Sequence, residues 1–318
     1  MSNRLMVADV TAPLARARRR LLPRRVLWAY VFVSPAILAL LLFTVGPILF
    51  TFWVSVHNWN IIEPISQMPF VGLENYRYLL IKDAVFRRGL RNTFVFTICG
   101  VGANTVLGLL FALLLNSRLR ARAFWRTLFF LPIVTAPLAL GMMWAVLLNK
   151  NFGLVNNLLG LAGIPLQPFL SSPDQALACI IGIAVYQYVG YYIIIYLAGL
   201  QGIPGEYYDA AAVDGANRWQ TFWHITLPLL RPVLLFIVVT NTIGALQVFD
   251  IVFAATTGVA GETSGGGPAN STMVVVLHMY NTAFKFFRMG RATAMAVILF
   301  LIIFIITLIQ LRLLQERR

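Results

Sequence analysis

The sequence predicts an all-α integral membrane protein with six transmembrane helices, and two observations carry that expectation. Charged residues are 11% of the 318-residue chain and apolar ones 59%, whereas a soluble domain carries about 25% charged residues. Six apolar runs alternate with polar stretches, each near the ~20 residues that a helix needs to cross a bilayer. So much apolar surface cannot be hidden inside one globule of this length.

The first run covers 26–54 and reads VLWAYVFVSPAILALLLFTVGPILFTFWV. It follows RARRRLLPRR, but it exceeds the ~7–15 residue core of a secretory signal and no small-x-small cleavage site follows, so it is read as a retained helix. The other runs are 93–115, 128–148, 176–200, 233–255 and 292–314.

Six crossings put both termini on one side, and charge chooses the side. Sixteen arginines fall in the N-terminal tail, the second-to-third connection, the fourth-to-fifth connection and the C-terminal tail, against nine basic residues in the other three connections. That bias predicts cytoplasmic termini, although FRRGLR, 86–91, lies on the opposite side. The net charge of +14 is thus a membrane-topology signal. No basic stripe with interleaved aromatics occurs outside these flanks, so no nucleic-acid partner is expected. The three opposite-side loops, 55–92, 149–175 and 256–291, read as packed connections, with TSGGGPAN, 263–270, a flexible turn region.

Several chemistries are excluded. Cys99 and Cys179 sit in apolar runs with no CxxC or Cys/His cluster, which leaves no disulfide framework and no common zinc site. A phosphate-cradling loop needs Gly-Lys followed by Ser or Thr, and none of Lys82, Lys150 and Lys285 follows Gly. His57, His224 and His278 are scattered, with no HExxH and no G-x-S-x-G nearby. No metal or cofactor is expected on this chain.

Between the fourth and fifth runs lies a polar insert, 203–232, IPGEYYDAAAVDGANRWQTFWHITLPLLRP. Pro204 suits a helix start and the acids behind it favour one. Asp214-Gly215 is a turn signal, and Asn217 can cap a second short helix. Ala210 and Ala211 permit close approach, while Trp219, Phe222 and Trp223 supply an apolar anchor. A solvated connector is one reading; a docking knob that transmits force to a cytoplasmic partner is the other.

Within the insert, Asp209-Ala210-Ala211, then Gly215, then Ile225-Thr226-Leu227-Pro228 resemble the E-A-A, three residues, G, then I-x-L-P signature of membrane subunits of binding-protein-dependent ABC importers. FVGLENYRYLL, LRNTFVFT, RARAFWRTLFFLP, VFDIVFAAT and GGPANST are similar to the carbohydrate branch, which includes maltose and glycerol-3-phosphate permeases. Here Asp209 stands in place of the family's Glu, and TTGVAGETSGGGP is longer than the usual form.

The resemblance implies the type I ABC importer permease fold, with a basic cytoplasmic tail, 1–25, and a transmembrane domain, 26–318. It implies a bacterial inner-membrane location, a second permease subunit, two ATPase subunits that hold the ATP and magnesium, an extracytoplasmic solute-binding protein, and a sugar or glycerol-phosphate-like solute. It also implies that the insert is the coupling element, with Glu206, Asp209, Ala210, Ala211, Asp214, Gly215 and Arg218 its contact residues.

A solute path is expected from polar and aromatic residues deeper in the runs. Asn241, Gly244, Ala245 and Val248 share one face of the fifth run. Gln187 and Tyr191 share one on the fourth, beside Tyr188. Helix packing in lipid uses the same residue types, so both roles stay open. Asp250, the one carboxylate inside a run, is a structural or functional group. The alternative function is a secondary transporter working alone, which the scarcity of mid-helix ionisable groups disfavours.

Overall fold

The computed structural model describes residues 24–117, 121–258 and 264–315. The basic tail expected at 1–25 lies outside the described residues up to position 23, as do Arg118, Arg120, Arg317, Arg318 and the 259–263 part of the last long loop. Among the described residues the chain is helical, with two isolated β-bridges and no strand.

The segment ending at Phe50 forms one compact unit and Thr51–Arg318 another. The first holds α1, Arg24–Leu40, which runs through a π-helical turn, Leu41–Val45, into α2, Gly46–Ser55. Trp28–Ser55 is long and apolar enough to cross a membrane. Its side chains Trp28, Phe32, Leu42 and Phe43 are exposed, as expected of a helix whose solvent is lipid.

Beyond α2, which runs past Phe50 into the second unit, come a short turn of helix, α3, Glu74–Arg77, and then α4, Ala84–Asn116. The sequence places FRRGLR in a loop; instead it forms the first turns of α4. Asp83 is the reason, since its carboxylate caps the helix by accepting from the Phe86 N–H at 2.9 Å. Next come α5, Arg122–Val134, and α6, Pro137–Leu147, which meet at a 98° bend. Pro137 has no N–H to give and holds Ala136 extended, so the third apolar run cannot be one helix.

After α7, Leu154–Leu161, the long α8, Ala176–Gln201, packs against α4 and α5. The insert forms α9, Gly205–Val213, and α10, Arg218–Thr221, and the latter continues through a π-helical stretch, Phe222–Thr226, into α11, Leu227–Leu229. A 63° bend at Leu230 leads into α12, Arg231–Leu246. The sequence expects one helix over 233–255; the structure breaks it at Gln247–Phe249 and restarts it as α13, Asp250–Thr256. Phe249, at φ −142° and ψ −60°, is not helical. Then follow α14, Val275–Tyr280, and α15, Met289–Gln315.

Among the described residues, four helical stretches are long and apolar enough to span a bilayer, or up to six when each bent pair counts as one. Three buried apolar clusters hold the second unit together. Phe96, Leu140, Ile180, Ile251 and Leu277 centre one, Ala112, Tyr196, Leu200 and Ile237 the next, and Leu79, Phe86, Val275 and Met295 the third.

The glycine-rich loop is not the flexible turn the sequence suggests. Over its described part, 264–270, Gly265, Gly266 and Gly267 are buried and take positive φ. Thr256 Oγ1 accepts from the Gly266 N–H at 2.9 Å. Just beyond, the Asn92 amide donates to the Ser271 and Met273 carbonyls at 3.0 and 2.9 Å. Arg88 donates to the Ala269 carbonyl.

Candidate functional site

Two features meet the chemistry expected of the sequence, an interior cavity and the polar insert. The cavity, about 200 Å³, lies where α12 breaks from α13 and is walled by α4, α6, α8, α12 and α13. The break matters because it ends α12 at Leu246 and frees the backbone of 247–249 to line a hollow. Irregular backbone at membrane depth is tolerated only where it is buried in protein or lines such a space.

The sequence-predicted face of the fifth run is here: Asn241, Gly244, Ala245 and Val248 all line the cavity, and so does Asp250. Asp250 is the first residue of α13 and is exposed. Among the described residues its carboxylate has no hydrogen-bonded or ion-paired partner.

The fourth run divides differently from the expectation. Tyr188 lines the cavity, but Gln187 and Tyr191 do not. Gln187 is 1% exposed and turns toward the bend, where its amide donates to the Thr135 carbonyl at 3.1 Å. Tyr191 is on the exterior, edge-on to Tyr192 at 5.4 Å. The face that lines the cavity is Ala184, Tyr188 and Tyr192, an i, i+4, i+8 row. Sequence reasoning missed Tyr192, Asn104 and Gln247, which also line it. The four-residue spacing of the tyrosines was the available signal.

Two of the cavity amides are buried with an atom that has no partner among the described residues: Asn104 Oδ1 and Asn241 Nδ2, in residues 4% and 6% exposed. A buried polar atom left without a partner costs about 1–3 kcal/mol, so each is poised for a ligand atom or water.

The insert folds as its residues dictate. Gly215 sits at φ +75° just past the end of α9, a conformation other residues resist. Ala216 N–H returns to the Ala211 carbonyl at 2.9 Å. Asn217 and Gln220 form a reciprocal cap at the start of α10, with bonds of 2.9 and 2.8 Å. Tyr208 and Thr226 hydroxyls lie 3.3 Å apart and tie α9 to the following π-helical stretch. Glu206, Asp209, Ala210, Asp214, Gly215 and Arg218 are exposed. Ala211 is buried, so its small side chain serves the internal packing of the insert, not its outer surface. Trp219, Phe222 and Trp223 form one ring cluster, with Trp219 and Trp223 exposed.

Apolar helices of bilayer-crossing length around a polar hollow, with a capped polar insert at one end, define a multi-spanning membrane protein with an interior solute-sized space. Residues 104–318 match the family described as binding-protein-dependent transport system inner membrane component, and the chain belongs to that family. It is 35% identical over 281 residues to the probable ABC transporter permease protein y4oQ of Sinorhizobium fredii, covering 88% of this chain and 87% of that one. It is 33% identical over 295 residues to the trehalose/maltose transport system permease protein MalF of Thermococcus litoralis, covering 91% and 94%. A chain of the bacterial alginate ABC transporter, solved in complex with an alginate pentasaccharide-bound periplasmic protein, superposes with a TM-score of 0.78 at 22% identity, over 92% of this chain and 96% of that one. The fold is therefore that of a type I ABC importer permease, and the chain is a transporter component, not an enzyme.

Proposed function

We propose that this chain is one of two membrane subunits of an ATP-driven importer for a sugar or glycerol-phosphate-like solute, in a bacterial inner membrane. The bent pairs α5–α6 and α11–α12 then complete six crossings, with both termini and the insert on the cytoplasmic side. A second permease completes the path, two ATPases carrying ATP and magnesium grip one insert each, and a solute-binding protein docks on the opposite face. The chain itself binds no cofactor in this reading.

The observation that carries it is the pairing of the cavity at the α12–α13 break with the insert that leads directly into α12. A push on α9–α10 is delivered through α11 to the helix whose end forms the cavity wall. Hinge and rocking motions of packed helices are the usual currency of alternating access. The name of the trehalose/maltose relative supports a sugar, and tyrosine rings with carboxamides suit one.

Co-expression with the partner subunits, reconstitution in vesicles, and measurement of ATP-dependent uptake of trehalose and maltose test the reading. Uptake that needs all subunits and ATP supports it. Solute movement by this chain alone without ATP overturns it in favour of a stand-alone carrier.

A further inference from the structure

We propose that the cavity selects uncharged or cationic solutes rich in hydrogen-bond donors and rejects anions, with Asp250 the selecting group. The inference rests on the sugar-import reading and narrows it, setting glycerol-phosphate-like solutes aside.

The unpaired polar atoms of the cavity are unequal in kind. Asn104 Oδ1 is a buried acceptor and Asn241 Nδ2 a buried donor, both without partners among the described residues, and the exposed Asp250 carboxylate at the same lining adds an acceptor. Of these three groups two ask the solute for a donor, while the Tyr188 and Tyr192 hydroxyls can donate or accept. A sugar hydroxyl donates and accepts, so adjacent hydroxyls can serve all three atoms. An ionised phosphate or carboxylate brings acceptors only. It can accept from Asn241 Nδ2 but has no donor for Asn104 Oδ1 or for the Asp250 carboxylate.

Charge acts in the same direction. Among the described residues, no lysine, arginine or histidine lines the cavity. An anion entering it meets the Asp250 carboxylate with no compensating cation among the lining residues, so Coulomb repulsion opposes its entry. A neutral ring instead gains the faces of Tyr188 and Tyr192.

The test uses the complete importer in vesicles, with Cys99→Ala and Cys179→Ala as background and Val248→Cys as a reporter inside the cavity. Methanethiosulfonate reagents of either charge report the local potential. The cationic reagent is expected to label the reporter about tenfold faster than the anionic one, and Asp250→Asn is expected to bring the ratio near unity. A ratio that Asp250→Asn leaves unchanged overturns the role of Asp250. In parallel, ATP-driven uptake of trehalose, maltose, lactose and sn-glycerol 3-phosphate is compared. Uptake confined to the neutral sugars supports the selection, and uptake of the phosphate ester overturns it. If none of the four is taken up, the sugar reading falls, while the labelling ratio still decides the charge selection.

Discussion

Gln187 on α8 donates its side-chain amide to the Thr135 carbonyl, 3.1 Å away and 52 residues earlier in the chain. Thr135 ends α5 at the 98° bend, where a carbonyl loses its helical partner. With no water in the bilayer core, that carbonyl needs a protein donor. Gln187→Leu keeps the volume and removes the donor. The expected result is a loss of about 1–3 kcal/mol, read as a lower Tm of the purified importer in lipid nanodiscs. An unchanged Tm would show that the bend is held by its prolines alone.

The same helix meets α5 where a side chain will not fit. A Cβ on Gly190 would be driven into the carbonyl of Phe129. Both partners there are backbone or rigid, so Gly190→Ala must push α5 away from α8. Overpacking of this kind costs about 1–3 kcal/mol. Loss of a crosslink engineered between α5 and α8 in the variant, against its presence in the parent, checks the displacement directly.

What the sequence disclosed was what local chemistry determines. The insert is short-range physics: Gly215 at a positive φ, and Asn217 paired with Gln220 three residues on. Those marks are read without knowing what packs nearby. The α12–α13 break leaves no such mark, because Gln247, Val248 and Phe249 include neither glycine nor proline and the apolar run continues past them. Tertiary packing of α13 against α6 makes that break. The face of α8 was misjudged for a related reason. That helix is apolar or aromatic on nearly every side, so amphipathicity could not single out Tyr188 and Tyr192 over Gln187 and Tyr191. The start of α4 was hidden by its charges, which suggest a loop until Asp83 is recognised as a cap.

Asp83 also forms a long-range pair. His278 Nε2 lies 3.0 Å from Asp83 Oδ2, joining the start of α4 to α14 across 195 residues. Burial pulls the Asp83 carboxyl upward, but the His278 hydrogen bond, the Phe86 N–H and the His278 charge outweigh it, so its pKa falls below the ordinary 3.8. A carboxylate with a lowered folded-state pKa stabilises the protein above the unfolded value and loses that effect as the pH falls through the lowered one. Asp83→Asn keeps the helix cap, since Asn caps as well as Asp, and removes the charge. Its Tm is expected to fall below the parent's at pH 7 by the equivalent of about 1–2 kcal/mol. The gap should narrow in acid, below about pH 4. A gap that widens there contradicts the assignment.

Gly215 is the residue on which coupling depends in the proposed function. Its φ of +75° turns the chain between α9 and α10, and its N–H bonds the Ala212 carbonyl at 3.2 Å. Proline can supply neither, because its ring holds φ near −65° and it has no N–H. Gly215→Pro therefore re-aims α10 relative to α9 while leaving the membrane helices and the cavity residues untouched. The expected phenotype is separable: the complex still assembles and hydrolyses ATP, but solute uptake per ATP drops by about an order of magnitude, as misplacing a mechanical contact by roughly 1 Å can do. Counting transported solute against released phosphate in the same vesicles measures it. Normal uptake per ATP in this variant would mean that the insert does not carry the stroke, whereas failure to assemble would assign Gly215 to docking instead of transmission.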